Sequence, residues 1–236
     1  MKKLLCALLI VNCSLFAVSA RAADGVNIAE DVSDPMYMER QKDLVFRLSA
    51  DLGSDFQLRQ AVSYGITNKF AAGADIRYRV GAKGDDDNGL SNVGLMGKYR
   101  AAASGSGSTD VLFGIGYSTL AVVPDYSNNV YSVGVRTGKQ WNGMTLALTA
   151  MTNWIFSNED GMAYIDLTPE AYFRVRGGWA LGFGGTFRKA TMPAYDQIWL
   201  NAKVGSVIGK TGWFVNMAYE VDSADFRIGG NVNLLF

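Results

Sequence analysis

From about residue 43 to residue 236 the apolar positions recur every second residue, and no stretch repeats them at helical spacing. Leu44, Phe46, Leu48 and Ala50 alternate with Val45, Arg47, Ser49 and Asp51. Phe70, Ala72, Ala74, Ile76, Tyr78 and Val80 alternate with Gly73, Asp75, Arg77 and Arg79. Near the other end, Val215, Met217, Tyr219 and Val221 alternate with Phe214, Asn216, Ala218 and Glu220. Clusters of Gly, Asn, Asp and Ser divide the pattern into twelve segments near 43–52, 55–65, 69–81, 91–101, 110–120, 130–140, 144–155, 163–175, 179–189, 196–207, 212–222 and 225–236. These lengths match the roughly 9–11 residues of a tilted membrane strand better than the roughly 5–6 residues usual in soluble sheets. Pro169 falls inside the eighth segment and predicts a bulge or bend there.

A soluble sandwich also alternates, with its apolar face as the core. Three features favour an all-β, antiparallel, up-and-down transmembrane barrel over residues 43–236. One face carries many Arg residues, whereas the other is almost free of charge. Connections alternate between longer ones (AKGDDDNGL, AVVPDYSNN, SNEDG, TMPAYD) and short ones (ITN, WNG, RGG, GKT), with SGSGSTD as the exception among the short. Aromatic residues gather at both strand ends: Phe70, Trp141, Trp179 and Trp213 beside the short turns, and Tyr117, Trp154, Phe156, Phe187, Tyr219 and Phe226 beside the longer loops. Two such belts are what the two membrane–water interfaces select. An even strand number puts both ends of the barrel on one side, and closure requires the twelfth strand to pair with the first.

The segment before the barrel changes the charge and the chemistry. Residues 1–22, MKKLLCALLIVNCSLFAVSARA, have the charged, apolar and A-x-A plan of a cleaved signal peptide. Cleavage would remove Cys6 and Cys13, hence all thiol chemistry. It would also remove Lys2, Lys3 and Arg21, leaving 19 basic against 22 acidic residues, a balance that does not suit nucleic acid. The chain has no histidine, which excludes Ser-His hydrolysis and His-based metal sites, and no cofactor or metal is expected. Residues 23–42, ADGVNIAEDVSDPMYMERQK, form a periplasmic N-terminal arm, with a flexible tail as the simpler reading and a partial plug as the other.

Continuing the alternation lists an interior. Its basic members are Arg47, Arg59, Arg77, Arg79, Lys98, Arg100, Arg136, Arg174, Arg188, Lys203 and Arg227; its acidic members are Asp51, Asp75, Asp166, Glu170 and Glu220. Eleven cations against five carboxylates predict a positive lumen that attracts anions, or else an ion-pair network filling a narrow barrel. Other motifs carry less. GSVIGKT (205–211) has three residues between its glycines where a phosphate loop needs four, and it leads into a strand. The run DDDN (85–88) reads as a solvated outer loop.

The final strand, FRIGGNVNLLF, turns Phe226, Ile228, Val232, Leu234 and Phe236 to lipid. That ending resembles the C-terminal signature of bacterial outer-membrane barrel proteins, with Asn231 where a Gly is often found. The resemblance implies recognition of Phe236 by the barrel-assembly machinery and contact with outer-membrane lipids and lipopolysaccharide. YGITNKFAAGADIRYR (64–79) and NGLSNVGLMGKYR (88–100) are similar to segments of uncharacterised outer-membrane barrels and of transporter-like barrels associated with aromatic degradation. That second resemblance implies passage of small-molecule solutes, apolar ones included. The expected function is therefore a narrow passive channel in the cell outer membrane. A closed structural or surface-interaction barrel is the alternative, and a lipid-modifying enzyme is disfavoured by the missing histidines.

Overall fold

The structure, a computed structural model, describes residues 29, 31–81, 89–119, 127–156 and 161–236. The expected leader (1–22), the acidic run at 85–88 and most of two other longer loops lie outside the described residues.

Twelve strands follow one another: β1 (Leu44–Leu52), β2 (Phe56–Thr67), β3 (Phe70–Val80), β4 (Gly89–Ser104), β5 (Gly107–Thr119), β6 (Ser127–Trp141), β7 (Met144–Phe156), β8 (Gly161–Arg174), β9 (Trp179–Ala190), β10 (Gln197–Ile208), β11 (Thr211–Glu220) and β12 (Phe226–Leu235). Each pairs antiparallel with its sequence neighbours, and β1 pairs with β12 from Val45↔Leu235 to Leu52↔Ile228. The wall therefore has no edge, as a strand structure in hydrocarbon requires.

The tight turns follow from local chemistry. Between β6 and β7 both Asn142 (φ 40°) and Gly143 (φ 84°) are left-handed, the geometry that an Asn-Gly hairpin favours. SGSGSTD is not a long connection, because β4 runs on to Ser104 and β5 starts at Gly107, leaving two residues between them. At Pro169 the structure shows a gap instead of a bulge. Pairing with β9 passes from Leu167↔Phe187 to Glu170↔Gly184 without a change of register, while Thr168 and Pro169 stay paired with β7. Proline has no N–H for the second ladder; the hydroxyls of Thr168 and Thr186, 3.3 Å apart, span the gap. Shifts of register occur elsewhere, at Gly65/Thr67, Arg77/Tyr78 and Arg100/Ala102.

The barrel is inverted relative to a soluble domain. Leu95, Phe113, Ile115, Phe183, Leu200, Val215 and Ile228 are exposed on its outer face, whereas Asp75, Arg100, Asp110, Thr149 and Asn153 are buried inside. A continuous apolar exterior of this kind is stable only against lipid. The end that carries the tight turns and both ends of the barrel is called the short-turn end below; in outer-membrane barrels it faces the periplasm.

Residues 31–42 do not behave as a free tail. They fold back into the short-turn end, where Val32, Met36 and Tyr37 are buried with Ala29, Val45 and Ala147, and Leu235 packs against them. Two turns shape the segment, with Asp34 N–H donating to Asp31 O and Tyr37 N–H to Asp34 O, both at 3.0 Å. The apolar side chains gain shelter from water, and the polar ones meet partners in the wall.

Candidate functional site: the barrel lumen

The interior has three tiers, distinguished by what faces the cations. At the short-turn end the arm meets a collar of wall residues. Four of its backbone carbonyls accept from cations: Ser33 O from Lys203 (3.2 Å), Pro35 O from Arg136 (2.8 Å), Met36 O from Arg100 (2.8 Å) and Tyr37 O from Lys98 (2.7 Å). Its carboxylates are engaged as well. Asp31 accepts from the Tyr172 hydroxyl and lies 3.9 Å from Arg174. Asp34 accepts from Thr145 Oγ1 at 2.6 Å. Glu39 accepts from Ser63 Oγ at 2.8 Å and sits 2.6 Å from Lys98 Nζ and 3.3 Å from Arg47.

Burial and pairing act in opposite directions on these carboxylates. Burial alone would raise Glu39, but Lys98, Arg47 and the Ser63 hydroxyl overcome it and hold the carboxyl at about 2. For Asp34 burial wins, and its carboxyl is pushed above the usual range despite the bonds from Thr145 and the Met36 N–H. Beside the arm, Arg100 and Asp110 form a buried pair with bonds of 2.7 and 3.0 Å.

Above the arm lies a cavity of about 790 Å³. Val32, Ser33, Asp34, Pro35, Tyr37 and Glu39 form its floor; Arg59, Asp75, Arg77, Asp166, Glu170 and Arg188 stand in its wall. Arg59 pairs with Asp75 at 3.1 Å. Arg188 pairs with Asp166 at 2.8 and 2.9 Å and stacks over the Tyr164 ring at 4.0 Å. Arg77 makes no ion pair with a carboxylate among the described residues, although Arg59, Asp75, Tyr164 and Asp51 are near enough to act on it. At the loop end, Asp55 is wedged between Arg79 and Arg227, the latter at 2.7 Å. Arg227 also reaches Asp225 at 3.0 Å and stacks near Trp199, 5.7 Å from the ring centroid. Glu220 accepts from Ser223 there.

The aromatic residues stand at the strand ends. Trp141, Trp179, Trp213, Tyr117, Trp154, Phe187, Tyr219 and Phe236 are exposed on the outer surface, and Phe70 is half-buried against Phe113 with ring centroids 6.1 Å apart. Trp179 and Trp213 meet edge to face at 5.9 Å.

Alternation alone missed several of the carboxylates that meet inward cations. Among the described residues, Asp31 and Glu39 of the arm, Asp55 of the β1–β2 connection, Asp110 of β5 and Asp225 before β12 each pair with one, and Asp34 is held by Thr145. Asp110 was legible: it opens the 110–120 segment and shares the parity of Leu112 and Gly114. The arm carboxylates follow no period.

A closed twelve-stranded antiparallel barrel, apolar outside and polar inside, defines the class: the chain is an outer-membrane β-barrel protein. No protein-family model and no curated protein matches its sequence. Among solved structures it is similar to the KdgM porin (TM-score 0.64, 14% identity, 81% of this chain and 99% of that one) and to the NanC porin (0.64, 10%, 81% and 98%). It is also similar to the translocator domain of the autotransporter NalP from Neisseria meningitidis (0.51, 9%, 82% and 87%). KdgM has also been solved in complex with disordered oligogalacturonate. At such identities the likeness is one of fold.

Proposed function

We propose that the barrel is a narrow passive route for small solutes across the outer membrane, with a preference for anions. The observation that carries this reading is the 790 Å³ cavity, with Arg77 in its wall and no carboxylate paired to it among the described residues. Arg59 and Arg188 line the same space, each held by a carboxylate, Asp75 and Asp166. A fixed cation in a low-dielectric passage attracts anions over cations. The fold likeness to the KdgM and NanC porins supports the reading, as does the oligogalacturonate complex of KdgM, an acidic ligand in a barrel of similar architecture.

A second reading, a closed barrel without transport, is favoured by the arm, which fills the short-turn end. Reconstitution separates the two. Single-channel steps in planar bilayers, with a reversal potential on the anion side in a KCl gradient, are expected. Absence of steps at all voltages, together with no solute-driven swelling of liposomes, would sink the channel reading. The proposal extends to lipopolysaccharide against the outer face and to recognition of Phe236 by the barrel-assembly machinery.

A further inference from the structure

The seat of the arm is built into the wall. Gly138 on β6 leaves the space that Met36 occupies: a Cβ there would lie 2.6 Å from Met36 Sδ. Gly212 on β11 does the same for Ser33, and Gly65 on β2 for the Arg40 carbonyl. Three strands spread around the barrel are thus relieved of side chains where the arm touches them. Yet the arm joins no ladder. It is held by side chains that reach its carbonyls and carboxylates, and salt weakens those bonds where water reaches the cation, as at Arg47 and Arg174, which are 34% and 35% exposed. It leaves the barrel wall through Lys42, whose left-handed φ of 75° and N–H bond to Gly65 O fix where the segment turns inward.

We infer that residues 31–39 are a releasable plug, an internal occupant of the cationic collar whose departure opens the short-turn end of the lumen. The inference deepens the channel reading and rests on it only for the consequence, not for the release itself. Seated, the arm sets the Glu39 carboxylate against Arg47 and Lys98, occupies Arg136 and Lys203 with backbone carbonyls, and forms the floor of the cavity. Released, the same four cations line the path below Arg77, so the plug governs both the bore and its charge.

The experiment has two parts, each using the whole protein folded in detergent or bilayers. Cys6 and Cys13 are the only cysteines and precede residue 23, so an introduced thiol in the barrel reports alone once the leader is gone. In S33C the thiol replaces a buried hydroxyl that accepts from Asn233. Its labelling by a charged maleimide should be slow at low salt and several-fold faster at about 1 M KCl, where the water-accessible cations Arg47 and Arg174 are screened. Adding E39Q should accelerate labelling at low salt. Heat-modifiable migration confirms that each variant holds a barrel. Labelling that stays slow and salt-independent in both variants overturns the inference.

The second part locks the arm. A Cβ added at Gly212 would stand 3.6 Å from the Ser33 Cβ, within the range a disulfide spans. S33C/G212C should conduct poorly when oxidised and recover on reduction. Equal conductance in both states would show that release does not open the path. Fast, salt-dependent labelling with no conduction by any variant would remove the channel reading and leave the release standing.

Discussion

The short-turn end and the cavity above it are built from the same residue types and behave differently. Around the arm every cation of the collar is spoken for: Lys98 and Arg47 by Glu39, Arg100 by Asp110, Arg136 and Lys203 by carbonyls. A few residues higher, Arg77 has Asp75 nearby but Arg59 holds that carboxylate. An inward arginine is therefore a structural pin in one place and a source of attraction in another. The difference lies in the carboxylates and carbonyls that the rest of the chain delivers to it.

Substitutions at the two levels should separate accordingly. The largest effect is expected for R100A, which strands the buried Asp110 carboxylate and the Met36 carbonyl. Breaking such a pair costs about 3–5 kcal/mol, read as a lower urea midpoint of the folded barrel. A loss under about 1 kcal/mol would mean that Arg100 does not pin the collar. Next, R77E should leave stability nearly unchanged and move ion preference several-fold towards cations. R79E, already tied to Asp55, should move it less. Equal shifts for the two would erase the distinction between pinned and unpaired cations.

A smaller effect belongs to the wall. W213A removes an edge-to-face contact with Trp179 and should cost about 0.5–1.5 kcal/mol, with conductance unaltered. The smallest is a pH dependence that is nearly flat. Glu39 is depressed from 4.5 to about 2, so its contribution to seating is complete above 4.5 and fades only as pH falls towards 2. Asp34 is raised, so its ionisation weighs against seating and its protonation on acidification favours the seated arm. Labelling of S33C should therefore hold steady or slow between pH 7 and about 4.5, and rise only near pH 2. An early rise on mild acidification would mean that Glu39 is not a principal anchor.

The barrel was legible because period two is imposed on every strand by lipid on one side and a polar lumen on the other. Tight turns were legible where a residue's own conformational preference fixes them, as at Asn142-Gly143. The SGSGSTD connection misled because Ser and Gly suit strand ends as well as loops, and only pairing to Ser104 and Gly107 shows where the ladder stops. Pro169 was correctly marked as a disturbance, but a missing N–H interrupts one ladder without requiring an extra residue. The interior charge balance was beyond the pattern. Asp31, Asp34 and Glu39 lie in a segment with no period, and the glycines that admit it read as ordinary strand content until a neighbour is seen against them.

Every ladder in the wall joins consecutive strands except one, the seam between β1 and β12, whose partners Val45 and Leu235 sit at opposite ends of the barrel sequence. Loop entropy makes that seam the slowest to zip. Residues 31–42 are tethered directly to its N-terminal side, so the cylinder is sealed around a segment that has to be tucked inward beforehand or threaded through a finished mouth afterwards. Biogenesis and plugging thus share a single stretch of chain, and delayed closure of the seam would give the arm time to find its berth.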